Sequence, residues 1–432
     1  MTRPFRSKVL AAWLSVLAAA CAWSNTSSAL AQEAGDTVTL TLLVGGGAEY
    51  LQNLRTILAA FEAQNPDIKL DLIESSNTNE QFRVLYSSGV QLDLVRTNHG
   101  QIATFAKEGS ILDLTPMIER DPDFPFDAFY PAAQEMLKIG GRIYYVPFGI
   151  SVETLFYNKD LFSNAGLPFP DQSWAWDREA LDVGRRLTLD ANNDGVIDQF
   201  FLGNVLDGFF FTILYALGGE VVTADGSRFA MNSPEGLEAI EFVNSLVNER
   251  RITLNRTELD SGSWHFYLGN IAAVVQSSYF VGAMQQRGVS FDWDVAPMPA
   301  YREGRASTMW AETPWVIPAN AAHPEEAFRL LKFIASVEGQ ELVARTGMAT
   351  PIHRDVAVSP VYLEQTPPVN MLAFHETASY PNMRSRPDLP NWPQIWQTLA
   401  SVVLGPVYAG TQPASAALAE AERLINAILA QP

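Results

Sequence analysis

Cysteine is nearly absent. One residue, Cys21, serves the whole 432-residue chain, and it falls inside an amino-terminal stretch built like a leader. Arg3, Arg6 and Lys8 form a basic start, residues 9–23 an apolar run, and Ala29-Leu30-Ala31 a small-x-small cleavage site. The run is too short for a membrane span, so the pattern predicts a secretory signal peptide over residues 1–31 and a periplasmic product. The second reading is a lipid anchor at Cys21, although Ala18 stands where the usual lipobox has leucine. Cleavage after Ala31 leaves no thiol. Disulfides, thiolate catalysis and cysteine zinc sites are then excluded.

Positive charge is also scarce. The chain has 29 Lys and Arg against 48 Asp and Glu, and three of the basic residues lie in the leader. The remainder carries 26 basic against 48 acidic residues, a formal charge of −22. Such a surface repels nucleic acid and anionic lipid. No later stretch reaches eighteen uninterrupted apolar residues. Catalytic signatures are missing as well. The histidines at 99, 265, 323, 353 and 375 have no metal-ligand spacing, His375-Glu376 lacks the second histidine of a zincin helix, and GxSxG does not occur. Gly45-Gly46-Gly47 is not a dinucleotide fingerprint. It is a strand-to-helix turn whose glycines let the chain approach a ligand or simply turn. Spacing alone does not remove a glycosidase-type carboxylate pair, because acids are everywhere. An exported carbohydrate-active enzyme therefore stays as the rival reading.

What is present is strand–helix alternation. Residues 37–44, 68–73 and 92–95 read as strands, and Leu51, Leu54, Leu58 and Phe61 share one helical face that ends at Asn65-Pro66. Ser233-Pro234 and His323-Pro324 open two later helices, the second running on to Gly347. This predicts α/β lobes with mostly parallel sheets. About 400 residues is ample for two domains.

Several stretches, in order, resemble family 1 extracellular solute-binding proteins of ABC importers, the maltose- and oligosaccharide-binding type. They include FEAQNPDIKLDL (61–72), FAKEGSILDLTPMI (105–118), YYVPFGISVETLFYNKDLFSNAGL (144–167), FYLGNIAAVVQSSYF (266–280) and TPWVIPANAAHPEEAFRLLKFI (313–334). The resemblance implies a type II-like two-lobe clamshell with three hinge crossings, near 149–152, 297–308 and 350–354. One lobe would hold 36–148 plus 309–349, the other 152–297 plus 354–432. It further implies a monomeric receptor that closes on a ligand and docks on membrane permease subunits, with no bond made or broken.

The aromatics indicate the ligand class. The chain has 10 Trp, 13 Tyr and 24 Phe. A sugar ring offers a C–H face to an aromatic ring and hydroxyls to planar polar groups. Glu49-Tyr50, Asp207 with Phe209 and Phe210, Ser278-Tyr279, and Trp310 with Glu312 supply that pairing. Asn77 and Asn98 follow predicted strands and could present amides, or could cap helices. Tyr279 matches the place where maltose-type binders present a stacking aromatic. Phe201, Phe211, Trp176 and Trp293 read as core. The expected ligand is a carbohydrate or polyol. A glycerol-phosphate diester is the runner-up, with Arg96 or Arg384 as its cation.

One motif stands apart. In DANNDGVIDQF (190–200), Asp190, Asn192, Asp194, the Val196 carbonyl and Asp198 fall at calcium-loop positions, but Phe201 replaces the closing glutamate. It reads either as a structural calcium clip or as an Asx-rich solvated turn. No cofactor is required in either case.

Overall fold

The computed structural model describes residues 37–206, 208–261 and 265–431. The leader, Cys21 and Asp207 lie outside them. Among the described residues no helix is long and apolar enough to cross a membrane.

The chain opens with alternating elements: β1 (Val38–Val44), α1 (Ala48–Gln64), β2 (Ile68–Glu74), α2 (Thr78–Ser87), β3 (Leu94–Arg96) and α3 (His99–Glu108). α1 buries Leu54, Ile57, Leu58 and Phe61, and stops at Asn65 as the periodicity predicts. Then comes the long β4 (Val146–Asn158). It is followed by α4 (Glu179–Leu187), β5 (Phe200–Leu202), α5 (Phe209–Ala216), α6 (Pro234–Asn244), β6 (Ile271–Ser277), α7 (Phe280–Arg287) and β7 (Trp293–Ala296). A second long strand, β8 (Ala306–Val316), precedes α8 (Pro324–Ala335), α9 (Val337–Thr346), β9 (Asn382–Ser385) and α10 (Ala414–Leu429). α8 and α9 were expected as one helix. Ser336 separates them, because its extended backbone caps α9 and its hydroxyl accepts from Gly339 N at 3.2 Å.

The nine strands run in the order β2-β1-β3-β8-β4-β6-β5, with β9 on β8 and β7 on β4. β1 pairs parallel with β2 and β3, β5 with β6, and β8 with β9. β4 and β8 are antiparallel to each other, β4 is antiparallel to β6 and β7, and β8 is antiparallel to β3. The sheet is therefore mixed, and its two longest strands lie at the middle. β4 pairs with β8 along 146–152 and with β6 and β7 along 153–158, so it changes neighbours at its middle.

Two hydrophobic clusters make up the core. One contains Leu42, Leu94, Val95, Trp315 and Leu330 and runs on along β4 to Phe156, Ile271 and Trp293; the other contains Phe201, Phe210, Ile240, Leu418 and Ile425. Each fully buried aliphatic or aromatic side chain contributes about 1.5–3 kcal/mol. Trp176, Phe201, Phe211 and Trp293 are all buried, as their sequence context suggests. Residue 350 runs beside β4 here: Ile150 and Thr350 exchange backbone hydrogen bonds at 2.8 and 3.1 Å. A Cβ on Gly149 would stand 2.4 Å from the Thr350 carbonyl oxygen, so only glycine admits this approach.

Candidate functional site

The period of two along β4 and β8 builds the site. Met309 and Ala311 are buried, whereas Trp310 and Glu312 are only partly so. Trp310 stands opposite Ser151, and Glu312 opposite Gly149. Thr308, Trp310 and Glu312 thus share one face with Ser151 and Glu153, where the strands pass between the lobes. The Trp310 indole Nε1 donates to Glu312 Oε1 at 3.0 Å. Thr308 Oγ1 donates to Glu153 Oε2.

A cleft of about 480 Å³ opens over this face. Trp310 and Glu153 form its floor, Tyr279 and Gln276 one wall, and His99 with residues 386–389 another. Tyr279 follows β6 directly and is 54 % exposed, so its ring is free to meet a ligand. The cleft's volume is in the range of small-molecule sites.

Its electrostatics are balanced. Burial pushes the Glu153 carboxyl upward, opposed by the Thr308 hydrogen bond and then by the Arg386 guanidinium. Burial likewise raises Glu312, opposed by hydrogen bonds from Ser151 and Trp310 and by Arg96. His99 Nε2 lies 2.8 Å from Asp388 Oδ1. The Arg386 and Arg96 guanidinium groups each act on a nearby acid, Glu153 and Glu312.

The remaining expected residues are more scattered. Glu49 sits on the exposed rim, where its Oε2 accepts from Gln286 Nε2 of α7 at 2.9 Å, linking the lobes. Tyr50 lies beneath Arg96, at 5.4 Å from guanidinium carbon to ring centre, and burial lifts its phenol to about 12. Asn77 caps α2, accepting from Glu80 N at 3.3 Å. Asn98 precedes α3 with its side chain exposed. Ser278 is buried and accepts from Val152 N at 3.4 Å, tying the end of β6 to β4. Phe209 is buried edge-on against Trp176 at 4.7 Å, inside the second core. Gly45 turns beside the Ser75 carbonyl, 2.3 Å from where a Cβ would be, so its freedom serves strand ends and not a ligand.

Sequence reasoning missed Glu153, Gln276, His99, Arg386 and Asp388. The period-two pairing of Ser151 with Glu153 beside a long strand was a usable signal for the first. The others are isolated polar residues from distant segments, and no local pattern marks them.

The 190–198 loop lies between α4 and β5 and does not line the cleft. Its oxygens accept backbone amides: Asp190 from Asp194 and Gly195, Asn192 from Asp194, Asp194 from Val196, and Asp198 from Ala191. Phe201, at the closing position, points into the core. Among the described residues, no three His, Cys, Asp or Glu side chains converge as a metal site.

Comparison with known proteins places the chain among relatives. The family profile described as bacterial extracellular solute-binding protein matches residues 47–341. A putative binding protein of Brucella abortus is 24 % identical over 376 residues, 86 % of this chain and 88 % of that protein. An ABC substrate-binding protein of Listeria monocytogenes, solved with cycloalternan, superposes with a TM-score of 0.74 at 24 % identity, covering 92 % of this chain and all of that one. The cyclic α-maltosyl-1,6-maltose binding protein of Arthrobacter globiformis gives 0.77 at 20 % identity, covering 91 % and 99 %. At these identities the structural likeness speaks for the two-lobe fold.

Proposed function

Because the chain belongs to the bacterial extracellular solute-binding protein family, we propose that it is the extracytoplasmic receptor of an ABC importer, binding a neutral carbohydrate or polyol between its lobes. The observation that carries this reading is the Trp310 platform in the cleft, its indole held by Glu312, with Glu153 and Tyr279 lining the same cleft. A ring stacks on the indole, and hydroxyls donate to the Glu153 carboxylate. The buried Arg386 Nε, on a guanidinium whose charge acts on Glu153, has no hydrogen-bond partner among the described residues and can donate to a sugar hydroxyl oxygen. The Listeria neighbour, solved with cycloalternan, and the Arthrobacter neighbour, named for binding cyclic α-maltosyl-1,6-maltose, support the same ligand class.

Two rivals are less well supported. A phosphodiester requires an unbalanced cation, yet Arg96 faces Glu312 and Arg386 faces Glu153. A hydrolase requires carboxyl groups about 5–9.5 Å apart across the scissile bond. Thr308 lies opposite Glu153 and four residues before Glu312, so the two acids leave the sheet about 13 Å apart, with the indole between them.

In this reading the three crossings at 149–152, 297–308 and 350–354 are the hinge. The leader over 1–31 exports the chain to the periplasm as a monomer, with a lipid at Cys21 as the alternative. The closed form docks on the permease subunits. An ion held by Asp190, Asn192, Asp194, Val196 and Asp198 would be a clip for the fold, with no part in recognition. A thermal-shift screen of sugars, polyols and phosphodiesters tests the reading, with product formation followed in the same wells. Stabilisation by a neutral sugar or polyol without product supports it. Turnover, or stabilisation by phosphodiesters alone, overturns it.

A further inference from the structure

The 480 Å³ cleft has a neighbour. A second cavity of about 420 Å³ lies between the lobes, reached by Glu135 and Lys138 on one side and by Glu220 and Asp225 on the other. The same four residues, Arg386, Pro387, Asp388 and Leu389, line both cavities. One short segment after β9 therefore divides what would otherwise be a continuous interlobe groove.

This segment is held from both sides. The Arg386 guanidinium packs over Phe211 and Trp396, at 5.7 and 5.5 Å from the ring centres. Leu389 packs on the second core and lies 3.0 Å from where a Cβ on Gly226 would stand. Both contacts belong to the lobe that carries α5. The third reaches the opposite lobe, where Asp388 pairs with His99 at the start of α3 at 2.8 Å, with both side chains about five-sixths buried. Pro387 stiffens the chain between them by fixing φ. A segment tied to one lobe by packing and to the other by the close His99–Asp388 contact is a partition, and that contact seats it when the lobes approach.

We propose that residues 386–389 are the length gauge of the site: they end the ligand's path beyond Trp310 and restrict the receptor to short saccharides. The inference rests on the sugar reading above. A longer chain has nowhere to extend unless the partition moves, and moving it forfeits the packing of Leu389 and the pair with His99. The second cavity is then excluded from recognition, although it offers polar groups that could bind further rings.

The test is a calorimetric titration of linear α-gluco-oligosaccharides from maltose upward, on the wild type and on two variants. Asp388→Ala releases the tie to His99, and Pro387→Gly combined with Leu389→Gly releases the segment from the second core. For the wild type, affinity is expected to stop rising at a short length and to fall by at least tenfold for the longest chains. In either folded variant the longest chains should gain at least tenfold relative to maltose. If wild type binds all lengths equally, or a folded variant keeps the wild-type length profile, the gauge is overturned while the sugar reading stands. If wild type binds no saccharide or polyol of any kind, both fall together.

Discussion

The indole nitrogen of Trp310 donates to the Glu312 carboxylate two residues further along the same strand, at 3.0 Å. The bond holds the ring in the cleft, where Trp310 is a lining residue. An aromatic plane and an oriented acceptor are thus held as one unit, with little rotamer freedom left to lose on binding.

Trp310→Ala should therefore weaken binding by about tenfold or more, since truncating a buried aromatic anchor commonly costs about 2 kcal/mol. Circular dichroism should show the fold intact. Trp176→Ala is the control: Trp176 is 1 % exposed and lies within the second core. It should melt early, with affinity unchanged in its folded fraction. Affinity measured against melting temperature for both variants separates ligand platform from core.

Glu312 yields a pH-dependent prediction. Burial raises its carboxyl above the ordinary 4.5. The folded state therefore holds the proton more tightly than the unfolded chain. The stability this contributes is complete below pH 4.5 and is lost as pH rises through the folded value. Glu312→Gln should raise the melting temperature more at pH 7 than at pH 4, and should weaken sugar binding at both. Melting curves at the two pH values check the first part, and calorimetry the second.

Much of this was legible in the sequence, and the rest was not for physical reasons. Helix ends at Asn65 and Ser233 were marked by capping chemistry, and β1 and β2 by β-branched runs. Trp310 and Tyr279, which the structure brings to one cavity, were marked by large amphipathic rings beside polar neighbours, Glu312 and Ser278. Phe209 was not separable from its neighbours, because three successive phenylalanines in a fully buried helix leave no polar alternation to tell rim from core. Asn77 and Ser278 are ambiguous by nature, since an amide or hydroxyl that caps a helix or pins a strand looks the same in sequence as one that meets a ligand. His99 and Asp388 are 289 positions apart, and only the packing of β9 beside β8 brings them together.

Removal of divalent cations should leave ligand affinity unchanged within about twofold. The 190–198 loop does not line the cleft, and its carboxylates are engaged with their own backbone amides. Titrations with and without chelator check this. A melting temperature lowered by chelator in the wild type but not in Asp194→Ala would locate a structural ion there, because an ion bound only by the folded state stabilises it by mass action.

The crossings predict a shape change. With both lobes hung on β4 and β8, saturating ligand should reduce the radius of gyration in solution scattering, as domain closure does in periplasmic binding proteins generally. An unchanged curve with ligand demonstrably bound would mean that the crossings do not act as a hinge.

Trp310 and Glu153, with Glu312 holding the indole, are proposed to bind a neutral saccharide or polyol and leave it intact. A calorimetric titration with the best neutral ligand from the screen, followed by chromatography of the ligand recovered from the cell, tests both halves of that proposal. Saturable one-to-one binding and full recovery of unaltered ligand are expected. Cleaved ligand, or no neutral sugar or polyol that binds, would contradict it.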